Sequence, residues 1–178
     1  DLAARNRGLK SVFVPTGQTG IAIAGWGIAI DAVVADFLAG AAEQLVVEGY
    51  QRGGELLWVE GQGSLAHPAY SGVTMGLIHG SAPHAYVFVH KARATHVEGY
   101  PDHPLPDLRE LIELHERVSL RLRPARVAAV ALHTGGLDED DARAEIARVA
   151  RETGLTTDDP VRFGADTLLD AVLEVVQD

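Results

Sequence analysis

The sequence predicts an α/β protein with a mainly parallel sheet flanked by helices, and three observations carry that prediction. Four short runs, residues 11–14, 56–59, 86–89 and 127–132, are near-continuously β-branched, aromatic or otherwise apolar. Unbroken apolar runs suit strands covered on both faces, as parallel strands between helices are, better than the alternation of a half-exposed antiparallel sheet. Segments with helical periodicity lie between the runs, and alternation of strand and helix implies βαβ units with right-handed crossovers.

Each helix has its own signal. Val34, Phe37, Leu38, Ala41 and Leu45 follow the i, i+3, i+4, i+7 spacing of one face, with Asp31 available as N-cap. Leu108, Leu111, Ile112, His115 and Val118 form a second face after Pro106. Ala142, Ile146, Val149 and Ala150 form a third, with Asp138 as cap and Gly154 just past the end, where a left-handed residue is wanted. Leu168, Leu169, Val172 and Val176 form the last, capped by Asp166. The segment 92–106, rich in proline, glycine and histidine, reads as a mobile or lid-like loop.

With 178 residues, the chain is expected to fold as one α/β domain over residues 1–178. Apolar residues make up 47% and the mean hydropathy is +0.05, which excludes a disordered or fibrous chain, and no long uncharged apolar run predicts a membrane span. Fifteen Lys and Arg against 25 Asp and Glu give a net charge of −10, which disfavours nucleic acid and anionic membranes as partners and leaves a small molecule or a protein. The chain has no cysteine, so disulfides, thiolate metal sites and a cysteine nucleophile are excluded. With no secretory signal pattern, the cytoplasm is the expected compartment. The sequence starts at Asp1 and its one methionine is Met75, so more chain is expected upstream.

Ligands in parallel sheets bind at the carboxyl ends of strands, which directs attention to the loops after residues 14, 59, 89 and 132. Glu60 stands where an apolar strand runs into a Gly-rich turn, so its carboxylate can act as a base or hold a hydrated magnesium ion. A solvated strand-end Glu is the plainer alternative, but Gly61, Gly63 and Ser64 favour function because the glycines let backbone approach a ligand. Residues 61–66 also match G-x-G-x-x-A. Pro68 prevents the helix that a dinucleotide fingerprint must open, and no acidic residue follows at the ribose-binding spacing, so that reading is rejected.

Thr16, Gln18 and Thr19, within Thr-Gly-Gln-Thr-Gly, offer hydroxyls, an amide and backbone N–H groups suited to an anion or a substrate carboxylate, or else simply turn the chain. Trp26 between two glycines is a binding platform or a packing anchor. Eight histidines form no metal-binding spacing, while His90 and His133 end strands and make the candidate functional pair. His115, on an apolar helix face, is expected to be a hydrogen-bonded core or boundary residue. Arg162, in Asp-Pro-Val-Arg, either clamps a substrate carboxylate or pairs with a nearby acid, and the residues alone favour the pair.

Taken together, the strings at 16–37, 60–74, 77–81 and 159–162 closely resemble the D-glutamate N-acetyltransferase family of bacteria and archaea over nearly the whole chain. The resemblance implies most of a carboxyl-terminal domain of a larger protein, a P-loop NTPase-like three-layer sandwich similar to dethiobiotin synthetase, lacking its first strand and phosphate loop. This sequence contains no Gly-x-x-x-x-Gly-Lys, and residues 1–8 read as the tail of the helix such a loop opens. Glu60-Gly-Gln-Gly63 is similar to the dethiobiotin synthetase stretch whose Glu takes part in magnesium–nucleotide binding. His133-Thr134 stands where relatives carry an Asn-Thr pair, the position at which dethiobiotin synthetase reads adenine.

The resemblance implies an N-acetyltransferase acting on a D-amino acid such as D-glutamate. Acetyl-CoA is the expected donor, held with Gly61, Gly63, Ser64, His133 and Thr134. Glu60 and His90 are the candidate bases, and Thr16, Gln18, Thr19 and Arg162 the carboxylate-binding residues. The alternative is an ATP- and Mg-dependent carboxylate-activating kinase or ligase with Glu60 toward the metal, and a third class is a non-catalytic nucleotide-sensing or assembly domain. Homo-oligomer formation is compatible with such a sheet.

Overall fold

Strands and helices alternate along the chain in the computed structural model, which describes residues 1–177. They assemble into two compact units, one of residues 1–83 with 118–123, the other of residues 84–117 and the chain from 124 onward.

In the first unit the order is α1 (Leu2–Asn6), β1 (Ser11–Val14), α2 (Gln18–Ala24), a 3-10 turn (Ile30–Ala32), α3 (Ala35–Gln51), β2 (Leu56–Val59) and α4 (Ser71–Ser81). β1 and β2 pair in parallel, Ser11 opposite Leu56 through Val14 opposite Val59, so the two carboxyl ends finish side by side. Val14, Ile30, Leu38, Ala42, Leu45 and Leu77 form the core. α3 and α4 approach closely because α4 presents glycines to α3. A Cβ on Gly76 would lie 2.0 Å from Leu38 Cδ2, and one on Gly80 would lie 2.1 Å from the Ala39 carbonyl oxygen.

Two helix expectations in this unit need correction. The buried face of α3 is Leu38, Ala42, Leu45 and Gly49, while Phe37 is 70% exposed and Val34 is 67% exposed. Leu38 packs toward Gly76 and Gly49 toward Val14, which fixes the helix rotation one position away from the expected face. Asp31 lies in the 3-10 turn and does not cap α3, whose N-cap is Val34. α2 lies in the Gly-rich loop expected after the first strand, and α4 has no sequence signal assigned to it, since their glycines lower helix propensity and mask the pattern.

The second unit contains β3 (Ala85–Lys91), β4 (His96–Val97), β5 (Tyr100–Pro104), α5 (Leu108–Arg117), β6 (Arg126–His133), α6 (Glu139–Thr153), β7 (Thr156–Asp158) and α7 (Asp166–Gln177). β3, β6 and β7 form a parallel sheet with β6 at its centre, and residues 127–132 of β6 are all buried, as their unbroken apolar run requires. Val87, Ala129 and Ala131 on one face of that sheet pack against Leu168 and Ala171 of α7. Asp138 caps α6 by accepting the Asp141 N–H at 2.8 Å, and Gly154 closes it at φ +73°.

The segment 92–106 contains a small antiparallel hairpin, β4 with β5. Ala92 N–H donates to the His133 carbonyl at 3.0 Å, Leu105 N–H donates to the Thr95 carbonyl at 2.9 Å, and Val97 is buried. Arg93 adds ion pairs to Asp141 at 3.0 Å and Glu145 at 3.4 Å, which fasten the turn to α6. Among the described residues, no helix is long and apolar enough to cross a membrane.

Candidate functional site

Parallel pairing of β1 and β2 brings Thr16 and Glu60 together just past the strand ends. Glu60 N–H continues the ladder by donating to the Val14 carbonyl at 2.9 Å. Its side chain then turns back, and Oε2 accepts the backbone N–H of Thr16 and that of Gly17, each at 2.9 Å. In return Thr16 Oγ1 donates to the Glu60 carbonyl at 2.8 Å. Glycine at position 20 leaves room for this carboxylate, since a Cβ there would lie 2.3 Å from Glu60 Oε2 and would displace it.

The loop after Glu60 is fixed in the same way. Gln62 Nε2 donates to Thr16 Oγ1 at 3.3 Å, and Thr74 Oγ1 of α4 donates to the Gln62 carbonyl at 2.6 Å. Thr16 and Thr74 are both buried. On the other side, Ile30 N–H donates to the Thr16 carbonyl at 2.9 Å, which ties the 3-10 turn to the end of β1.

These segments border an open, solvent-facing pocket of about 410 Å3 lined by Gln18, Thr19, Asp31, Glu60 and Gln62 with the glycines at 17, 61 and 63. The structure thus gathers Gln18, Thr19, Glu60, Gly61 and Gly63 around one space, with Thr16 holding Glu60 from behind. Ser64 serves its own turn, its Oγ accepting the Ala66 N–H at 3.2 Å. Trp26 packs against the core and under the Arg52 guanidinium, 4.3 Å from the ring centroid, so it is a packing anchor.

Two of the N–H groups that the 16–20 loop offers are already used within the site. The Thr16 and Gly17 N–H groups are spent on Glu60, and the lining contains two carboxylates but no Lys, Arg or His. A magnesium ion would find one oxygen of Glu60, Oε1, without a hydrogen bond among the described residues. No group of three His, Asp or Glu side chains among those residues is placed to hold a metal. Glu60 could therefore supply one ligand to a hydrated ion but not a protein cage.

His90, His133, Thr134 and Arg162 belong to the second unit. Lys91 pairs with His133 and His90 with Leu132, so the alternation of side chains sends His90 and His133 to opposite faces of the sheet, and they do not form a pair. His90 is half-buried near Arg148 and Glu152 of α6. Burial holds its imidazole below the ordinary histidine range, the Arg148 charge adds to that, and Glu152 opposes it. His133 is exposed with its ring over Gly135. His115 is a half-buried boundary residue, hydrogen-bonded as expected: Nδ1 donates to the Leu111 carbonyl at 2.7 Å, and the ring meets Phe88 edge-on at 5.1 Å.

Thr134 and Arg162 are committed to Asp159, which the sequence suggested only as part of a helix-ending Asp-Pro. Asp159 is 1% exposed; Oδ2 accepts Thr134 N–H at 3.0 Å and Thr134 Oγ1 at 2.5 Å, and Oδ1 accepts Val161 N–H at 2.9 Å and Arg162 N–H at 3.2 Å. Burial would push the Asp159 carboxyl up, but these four hydrogen bonds together pull it below the ordinary aspartate value. Arg162 Nη2 donates to the Leu137 carbonyl at 2.5 Å and the Thr134 carbonyl at 3.3 Å. Thr134 is fully buried with both donors occupied, so it fastens a loop; Arg162 Nε lies 3.9 Å from Asp159 Oδ2, so Arg162 pairs with the nearby acid that the residues alone favoured. Sequence reasoning missed Asp31, Thr74 and Asp159 as residues of these two polar clusters. Only Asp159 left a local signal, an Asp before proline poised to accept N–H groups two and three residues on.

Comparison with known proteins matches this arrangement to one family. The family described as "Domain of unknown function (DUF1611_C) P-loop domain" matches residues 1–169. A protein of Tritonibacter scottomollicae named D-glutamate N-acetyltransferase is 41% identical over 176 residues, 98% of this chain and 52% of its own length. A protein of the same name from a Pseudoalteromonas species is 35% identical over 168 residues, 94% of this chain and 50% of its own. The crystal structure of a DUF1611 family protein from Anabaena variabilis superposes with a TM-score of 0.93 at 46% identity, covering 97% of this chain and 51% of that one. The chain thus spans about half the length of the relatives it matches, and it belongs to the DUF1611 family through that family's P-loop domain.

Proposed function

We propose that the chain is part of an N-acetyltransferase that acts on a D-amino acid such as D-glutamate in the cytoplasm. The observation that carries this reading is 41% identity across 98% of the chain to a protein of that name. The site contributes a carboxylate fixed by two N–H donors, with one oxygen remaining toward a cavity of small-ligand size.

The reaction needs the acceptor amine to lose a proton, and its nitrogen then bonds to the carbonyl carbon of an acetyl thioester such as acetyl-CoA. The carbon–sulfur bond breaks, the sulfur leaves as thiolate and is protonated to the free thiol. In this reading Glu60 Oε1 takes the amine proton. Glu60 is favoured over His90 as base because it lines the cavity, whereas His90 is half-buried beside the charges of α6.

The test is thiol release by the full-length protein with acetyl-CoA and a panel of D- and L-amino acids, including D-glutamate. Release that depends on a D-amino acid and falls sharply in Glu60→Gln is expected. No thiol release with any D-amino acid, together with ADP release that requires magnesium and a carboxylate, would overturn the reading in favour of a carboxylate-activating enzyme.

A further inference from the structure

We propose that Thr74 of α4 is a positioning residue for Glu60, acting on its carboxylate through Gln62 and Thr16. The functional part rests on the reading of Glu60 as the base in acyl transfer. Thr74 itself touches no reacting atom.

A path of hydrogen bonds joins the two residues. Thr74 Oγ1 donates to the Gln62 carbonyl at 2.6 Å, Gln62 Nε2 donates to Thr16 Oγ1 at 3.3 Å, and Thr16 Oγ1 donates to the Glu60 carbonyl at 2.8 Å. The Thr16 N–H then closes on Glu60 Oε2 at 2.9 Å, beside the Gly17 N–H at the same distance. A threonine inside a helix commonly places its hydroxyl on the carbonyl four residues back in that helix. For Thr74 that acceptor, the Tyr70 carbonyl, is present at 3.3 Å, yet the shorter bond leaves the helix for the loop after Glu60. The hydroxyl is therefore directed at the loop although α4 could have satisfied it.

Packing holds the same path from both sides. Gly63 has φ +58°, and a Cβ on it would lie 2.6 Å from Tyr70 Cβ and 3.5 Å from Thr74 Oγ1, so the loop rests directly on the start of α4. A Cβ on Gly17 would lie 2.5 Å from Gln62 Nε2, so the carboxamide lies against the backbone whose N–H donates to Glu60. Thr74 is buried beneath this contact. A base works only with its oxygen held in reach of the proton, so slack in a supporting contact lowers rate before it lowers affinity.

The test uses the full-length protein with Thr74→Val, which keeps the shape and removes the donor, and Thr74→Ser, which restores it. Backbone amide exchange resolved by NMR gives a readout independent of activity. The Thr16 and Gly17 amides are expected to exchange about tenfold faster in Thr74→Val and near the wild-type rate in Thr74→Ser, as one hydrogen bond is lost and regained. Gln62→Ala is expected to act alike, and adding Thr74→Val to it to change little more, since both break one path. In thiol release with acetyl-CoA and D-glutamate, kcat of Thr74→Val is expected to fall about tenfold with KM within about twofold of wild type. Unchanged exchange at Thr16 and Gly17, exchange that quickens equally along all of α4, or additive effects of Thr74→Val and Gln62→Ala would overturn the proposal. If exchange follows the expectation while the wild type transfers no acetyl group, or while kcat is unmoved, the reading of Glu60 as base fails and the hold of Thr74 on its carboxylate stands.

Discussion

Thr16 and Glu60 hold each other reciprocally: the Thr16 N–H donates to the Glu60 carboxylate at 2.9 Å while the Thr16 hydroxyl donates to the Glu60 carbonyl at 2.8 Å. This clasp joins the ends of two parallel strands, so Glu60 is a structural anion as well as the candidate base. Glu60→Gln keeps an oxygen for the two N–H donors but loses the charge, and is expected to cost about 1–2 kcal/mol. Glu60→Ala strands both donors and is expected to cost about 2–4 kcal/mol. Urea unfolding of the two variants checks the order, and equal stabilities would refute the clasp.

Two helical glycines should respond to alanine with opposite signs. Gly40 of α3 is exposed, and a methyl group there would meet nothing within 4 Å, so Gly40→Ala is expected to stabilise by about 0.5–1 kcal/mol through helix propensity. Gly80 of α4 would place its Cβ 2.1 Å from a backbone carbonyl oxygen, and Gly80→Ala is expected to destabilise by about 2 kcal/mol or more. Thermal melts of the pair show whether close packing outweighs propensity at position 80.

The buried Asp159 makes a third prediction. Asp159→Asn replaces an acceptor of four hydrogen bonds by a group whose NH2 must face donors, and is expected to cost about 2–4 kcal/mol, against about 1 kcal/mol for Thr134→Val, which removes one hydroxyl. Because the folded carboxyl titrates below its ordinary value of 3.8, its stabilisation is complete above that value and is lost as pH falls through the folded one. Acid unfolding of the wild type should accordingly steepen below pH 3.8, a feature absent from Asp159→Asn.

Histidine burial sets a second pH window. Burial lowers His90, with Arg148 adding and Glu152 opposing, and burial lowers His115 against the raising effect of its bond to the Leu111 carbonyl. Both rings are held neutral in the folded chain, so the unfolded chain binds protons more readily once pH drops below the ordinary value of 6.5. Stability is therefore expected to be full above that value and to decline on acidification through it. Denaturation across a pH series checks this, and the slope should flatten in His90→Gln with His115→Gln.

The strand positions were legible because apolar runs of four to six residues mark strands whatever surrounds them, as at Ser11–Val14 and Leu56–Val59, which match their expected bounds. The Asp138 cap and the Gly154 terminus were legible because both act within one helical turn. Glu60 could be singled out from its position at a strand end. Its actual partners could not, since Thr16 lies 44 residues away and meets it only when β1 and β2 pair in register.

By itself, the sequence determined the α/β class, the order of its main elements and the strand-end loop that carries Glu60. Tertiary structure decided the rest: which face of α3 is buried, why α4 needs glycines, the opposite faces of His90 and His133, the commitment of Thr134 and Arg162 to Asp159, and the place of Asp31 on the cavity. The physical reason is range. Propensities and caps act over about four residues, whereas burial and hydrogen bonding of polar groups depend on segments that become neighbours only once the sheets and helices have packed.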